Sequence, residues 1–449
     1  MTISSDFALR RLTTATLVGS LLCSAVVAAA SDQIPGAPQQ RPVALVNAVV
    51  HPVTGPPVQE GTLIFDQGKI TEIGARMKPP AGAEVIDLKG RHVYPGMIEA
   101  HSRLGLTEIG SVRATHDYAE AGSLNPNVRA NVSVNPDSEL IPVTRANGVL
   151  LTLTAPTGGL VSGIASVMQL DGWTYEEMTL LPDAAMIVNW PTLTARAANS
   201  DGGNSQNDSL KRLRELFEQA RAYRIARQTN PVGTSADGQG FDIRLEAMSG
   251  VLDRELPLMA VADRADQIRS AVAFSVEQNV RLIIFGGADA ADCADVLRQY
   301  NVPVIVEAVH RNPLRRHEDY DAPYRLPARL SEAGIPFCIS GSGRSESWNC
   351  RNLPYHAATA VAYGLPYEDA VRAVTISPAQ ILGIADRVGS LEAGKDATLF
   401  VADGDPLETT TVIESAWIQG RPVDLSSHHT KLYSKYQQKY RQQQTNTKR

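Results

Sequence analysis

His101-Ser102-Arg103 is the tripeptide whose side chains offer the most chemistry. In a strand alternate residues share a face, so His101 and Arg103 would project together. An imidazole carries a proton near neutral pH or ligates a metal. A guanidinium has five donors and no lone pair, so it clamps an anion and repels a cation. Arg103 either pairs with a nearby carboxylate, Glu99 or Glu108, or, unpaired, becomes a carboxylate clamp. His310 closes the apolar run VPVIVEAVH and is the best placed of His116, His310 and His356 to join His101. Ser342 and Arg344 follow the apolar stretch Ile335–Ile339 in SGSGRSES, and with Arg103 and His310 they are expected to bind a ligand. Asp263 and Arg264 also follow a strand end and either line the same pocket or pair with each other. Gly341-Ser342-Gly343 is not a nucleophile elbow of the Gly-x-Ser-x-Gly kind. The run Gly158-Gly159-Leu160-Val161-Ser162-Gly163 lacks the lysine of a nucleotide loop and reads as a tight turn beside the pocket.

These residues need elements to hold them. Between Tyr94 and Leu382, short apolar strands alternate with helical stretches. Strands are expected at Gly148–Thr154, Leu256–Ala262, Arg281–Phe285, Val302–Val306 and Ile335–Ile339, and helices at 209–224, 265–277, 288–299 and 322–333. Repeated strand–helix units imply a parallel sheet. A stretch of that length suits a closed (β/α)8 barrel over residues 94–383, with 156–241 read as loop-rich. Residues 41–93 and 384–425 show period-two alternation broken by Gly, Pro and Asp, the pattern of antiparallel strands. They are expected to form one composite β-sandwich domain. Residues 31–40 read as a linker and 426–449 as a polar, cationic tail, frayed or helical.

The chain has 449 residues, 43% hydrophobic and 20% charged, with a formal net charge of −6. It lacks the basic stripe with interleaved aromatics that nucleic acid requires. Arg10 and Arg11, an uncharged stretch from Leu12 to Val27 and Ala28-Ala29-Ala30 form the three parts of a secretory signal peptide. Cleavage near Ala30 removes one Asp and two Arg, leaving −7. A periplasmic or secreted protein with no transmembrane anchor after cleavage is expected. Three cysteines then remain, Cys293, Cys338 and Cys350, an odd number that is no disulfide framework, and spacing leaves a Cys338–Cys350 bridge open.

Three stretches resemble the amidohydrolase superfamily, in particular its imidazolonepropionase-like branch. Val93–Leu106 (VYPGMIEAHSRLGL) is similar to the strand-one signature in which Pro-Gly leads to Asp-Ala-His-x-His. Asn352–Leu382 resembles the helices after the last barrel strand. Ala385–Glu408, with Gly394-Lys395-Asp396-Ala397, resembles the return to the β domain. The resemblance implies a TIM-like barrel with a flanking β-sandwich, and hydrolysis of non-peptide C–N bonds by water on zinc or another divalent metal. It also implies ligands that this sequence lacks. Arg103 stands where the second histidine should be. There is no histidine between His116 and His310, where strands five and six should supply two. Lys211, the only lysine of residues 94–383, reads as part of a solvated helix face, and Ser342 stands near the strand-eight aspartate. His101 is the one member of the usual set in place, and a lone imidazole does not hold a catalytic metal. Two functions follow: an exported C–N hydrolase with an altered site, or a non-catalytic barrel that binds a small anionic ligand or a protein partner at its mouth.

Overall fold

In the computed structural model, residues 33–192, 205–229, 241–343 and 347–447 are described. The leader over 1–30 lies outside them, as does Arg344. Among the described residues, no helix is long and apolar enough to cross a membrane.

Two eight-stranded sheets organise residues 33–449. The first comes from both ends of this stretch: β1 (Val43–Val50), β2 (Val58–Asp66), β3 (Lys69–Ala75), β4 (Glu84–Asp87), β5 (His92–Pro95), β14 (Leu399–Ala402), β15 (Ile413–Ile418) and β16 (Arg421–Pro422). Its fork lies at β1. The first half of β1 pairs with β4 and the second half with β5, both parallel, and its pairing with β2 shifts register between Leu45 and Ala48. Asn47, inside that shift, has φ 54°. A bulge of this kind bends a strand and lets one sheet fold over on itself. Leu45, Leu63, Phe65, Ile70, Leu399 and Trp417 fill the interior. Asp396 pins the open side. It lies 3% exposed, accepts two bonds from Arg387 (3.1 and 2.8 Å) and also receives Lys69 of β3.

The second sheet is the barrel: β6 (Met97–Ser102), β7 (Val149–Thr154), β8 (Val161–Gln169), β9 (Thr179–Asn189), β10 (Leu258–Ala262), β11 (Leu282–Gly286), β12 (Val304–Glu307) and β13 (Phe337–Ser340). Successive side chains of its strands go to different cores, as a pleat requires. Met259, Ile283, Phe285, Ile305 and Cys338 face inward. Leu258, Ala260, Leu282, Ile284, Val304 and Val306 pack outward with helices such as α1 (Ser205–Thr229), α2 (Ala265–Gln278) and α4 (Ala322–Glu332), while α3 (Ala294–Gln299) adds Leu297. After β13 come α5 (Leu353–Ala362), α6 (Tyr367–Ala373) and α7 (Ile376–Ile381).

One strand departs from the parallel expectation. β8 runs antiparallel to both β7 and β9. The physical reason is the link between β7 and β8, residues 155–160, since a parallel crossover needs a dozen residues or more. Gly158 (φ 96°) and Gly159 (φ 65°) make that turn, so the glycine run is a hairpin corner. The region read as loop-rich therefore holds two long strands and α1. The cationic C-terminal segment forms a helix, α8 (His428–Thr447).

Candidate functional site

Register sets the levels of the barrel. Asn189 pairs with Val261, Val261 with Phe285, Phe285 with Ile305 and Ile305 with Cys338, which makes one layer. One step beyond, at the C-terminal ends of the strands, Glu307 pairs with Ser340. Asp263 follows β10 at this mouth.

His101 of β6 is 2% exposed, and its ring lies on that of Phe285, with centroids 3.7 Å apart and planes at 16°. β6 and β11 are not neighbours in the sheet, so this stack spans the barrel interior. Below it, the Glu99 carboxylate is fully buried and accepts from Ser340 Oγ (2.5 Å), Gly341 N (2.9 Å) and His101 N (3.3 Å). Burial pushes its pKa up to about 7 in spite of these donors. These bonds join the last strand to the first and close the barrel. Ser342 is 1% exposed, and its hydroxyl donates to the His101 carbonyl (2.5 Å), so it tethers the main chain of β6.

Arg103 does not pair with either expected carboxylate. Glu99 is turned to β13, and Glu108 accepts from Asn135 (3.3 Å). The guanidinium instead lies over the Tyr118 ring, 4.1 Å from its centroid. Its Nε is buried and donates to no described residue, and burial lowers its pKa. Tyr118 is held from behind. His116 Nε2 faces the Ile109 carbonyl (3.1 Å) and must carry the proton, so its Nδ1 accepts from the Tyr118 hydroxyl (3.3 Å).

His310 and His356 meet each other rather than His101. Their rings stack at 4.1 Å, and His356 Nδ1 accepts from the His310 amide (3.2 Å). Thr359 gives its proton to the Tyr355 carbonyl, so His310 Nε2 donates to Thr359 Oγ1 at 2.7 Å. Burial lowers His310 and takes His356 down to about 3, leaving both neutral at ordinary pH. Arg264 binds Asp266 (3.0 Å) instead of Asp263. Cys293, Cys338 and Cys350 are free and buried, so Cys338 and Cys350 are not bridged.

Among the described residues, no three His, Cys, Asp or Glu side chains converge so as to hold a metal ion. Phe285 covers one face of the only histidine in the strand-one position, and a cation stands two residues on. This donor set does not fit a divalent ion. Sequence reasoning missed Glu99 as the clasp, Phe285 as the partner of His101, and Glu307 at the end of β12. Only Glu99 carried a signal, since it replaces the aspartate of Asp-Ala-His-x-His.

An eight-stranded barrel and a β domain assembled from both ends of residues 33–449 define the class of fold, a TIM-like barrel with a flanking β-sandwich. Residues 330–423 match the model of the Amidohydrolase family. The chain is 24% identical over 406 residues to "Amidohydrolase tasK" of Hapsidospora irregularis, covering 83% of this chain but only 41% of that protein's length. It is 23% identical over 390 residues to an imidazolonepropionase of Mesorhizobium japonicum, covering 77% of this chain and 87% of that one. The crystal structure of an amidohydrolase from Thermotoga maritima is similar, with a TM-score of 0.75, 27% identity, and coverage of 85% of this chain and 99% of the other. Together these matches support the amidohydrolase superfamily, in its imidazolonepropionase-like branch, as the family of this chain.

Proposed function

We propose that this chain is an exported member of the superfamily whose barrel mouth takes a small amide or cyclic amide bearing a carboxylate. That is a substrate class for a hydrolase of non-peptide C–N bonds, which adds water across the bond to give an acid and an amine. One observation carries the reading: Arg103, half-buried at the mouth, has no ion pair among the described residues and is propped on Tyr118. Desolvating a guanidinium without a counter-charge is costly, and a bound carboxylate relieves that cost. Export rests on the sequence of residues 1–30. N-terminal sequencing of the secreted fraction should begin near Ser31, and a chain retaining Met1 would sink that part.

A second reading has its own observation. Phe285 stacked on His101 fills space beside the family's first ligand with an apolar ring, which favours binding without turnover. Calorimetry with 5-oxoproline, a cyclic amide carboxylate, and with uncharged 2-pyrrolidinone tests the common core of both readings. Binding of the acid alone, lost in Arg103→Ala, is expected; equal binding of the two, or no effect of Arg103→Ala, refutes the anion-binding mouth. NMR of the bound acid over hours then separates hydrolysis from mere binding.

A further inference from the structure

The C-terminal helix is built for a partner. α8 runs twenty residues, about 30 Å at the usual rise. Its start is capped reciprocally: Ser427 N donates to Thr430 Oγ1 (2.8 Å) and Thr430 N to Ser427 Oγ (3.4 Å). Beyond the cap, every described side chain from His428 to Gln444 is exposed except Gln437, which is partly covered. Helices in proteins draw most of their stability from packing one face, and α8 packs almost nothing. What it exposes is patterned. Tyr433, Tyr436 and Tyr440, spaced three and four apart, share a face and are 66%, 48% and 58% exposed. Lys431, Lys435 and Lys439 recur every four residues along a second stripe, and Lys439 reaches over the Tyr436 ring (5.7 Å).

The charge distribution identifies the occupant. From Ser426 to Arg449 there are six basic residues and no acidic one, so of the net −6 the rest of the chain holds −12. Exposed tyrosines are enriched at protein contacts, the lysines beside them complement an acidic partner by charge, and the three tyrosines make the face too polar to sink into lipid. We infer that α8 docks on the acidic body of a second copy of this chain, each copy lending its helix to the other in a two-fold pair. Such an exchange uses the helix twice and makes one closed, self-complementary interface.

Sedimentation velocity of the full mature chain tests this at low and high salt. A dimer is expected at ~50 mM salt, giving way to monomer as screening rises toward ~500 mM. Lys435→Glu with Lys439→Glu should raise the dimer dissociation constant about 100-fold or more. At ~500 mM salt, where wild type is monomeric as well, its melting temperature should match that of wild type, since neither side chain supports the fold of one copy. Tyr433→Ser with Tyr440→Ser should weaken the dimer with no change in net charge. A wild-type monomer at low salt overturns the proposal, as does a dimer that tolerates both double variants. Flotation of a monomeric wild type with phosphatidylglycerol vesicles would assign the helix to a lipid surface and overturn it as well.

Discussion

His101 and Phe285 lie face to face across the barrel, 3.7 Å between ring centroids, on strands that do not touch as neighbours. Phe285 belongs to the strand from which the family resemblance demands a histidine. Arg103→His alone should therefore leave zinc at less than about a tenth of an ion per chain, because three or four ligands are needed for tight binding. Arg103→His combined with Phe285→His should retain measurably more zinc through gel filtration. Elemental analysis of the purified variants decides. Stoichiometric zinc in the single variant would show that other ligands gather around His101.

Glu99 gives the barrel a dependence on alkali. Its folded pKa of about 7 stands above the ordinary 4.5. Between those values the folded chain holds a proton that the unfolded chain has released, so stability is full below pH 4.5 and declines as pH rises through 7. The decline is on the order of 3 kcal/mol for this group. Glu99→Gln has no such slope. Thermal melts should show the variant gaining several degrees relative to wild type between pH 5 and pH 8. A constant offset across that range would contradict the buried titration.

Two histidines act in the opposite sense. His51 is brought down to about 4, first by burial and then by His92, whose Nδ1 lies 3.0 Å from its Nε2, and His356 is brought to about 3 by burial and His310. Each remains neutral in the fold while the unfolded chain takes a proton below pH 6.5. Their contribution is complete above 6.5 and fades as pH falls toward 4 and 3. His356→Gln should flatten the acid side of the stability curve, measured by urea unfolding at pH 7, 6 and 5. An acid limb as steep as that of the wild type would place the titration elsewhere.

Asp396 is the most exposed to loss of a partner among the groups that tie the β domain together. It is buried and neutralised by Arg387 and Lys69, and Gln419 also donates to it (3.3 Å). Asp396→Asn should cost about 1–3 kcal/mol through its lost charge-assisted hydrogen bonds, less than a wholly buried pair, because Arg387 and Lys69 are 36% and 49% exposed and keep access to water. Arg387→Met in the same background should add little further loss, since the guanidinium it removes has already lost its charge partner. Urea denaturation of the single and double variants gives the coupling, and additive losses would show that the pair does not cooperate.

Much of this architecture is legible in the residues. The alternation in LPLMAVA and RLIIF announces strands with two apolar faces, and Gly394-Lys395-Asp396-Ala397 marks the return to the β domain. His101 and Arg103 were identifiable by type and spacing. The reversed β8 was also within reach, since six residues cannot carry a crossover. The contacts around His101 were not. Phe285 and Ser340 reach it from strands 184 and 239 residues away, and local pattern carries no information on which rings meet across a barrel. Ser342 is the plainest case, because its type suggested a ligand group and only the fold turns its hydroxyl to the main chain.

The clasp of Ser340 on Glu99 joins residues 241 positions apart. Closing so long a loop is slow, and no earlier pairing substitutes for it. Until β13 has arrived, the apolar interior beside β6 stands open and the Glu99 carboxyl group lacks its donors, the kind of surface that recruits strangers. The last hundred residues are thus an obligatory completion step. A truncation that spares every mouth residue up to His310 should yield an aggregating chain rather than a smaller barrel, and nascent chains shorter than that should need a chaperone's cover.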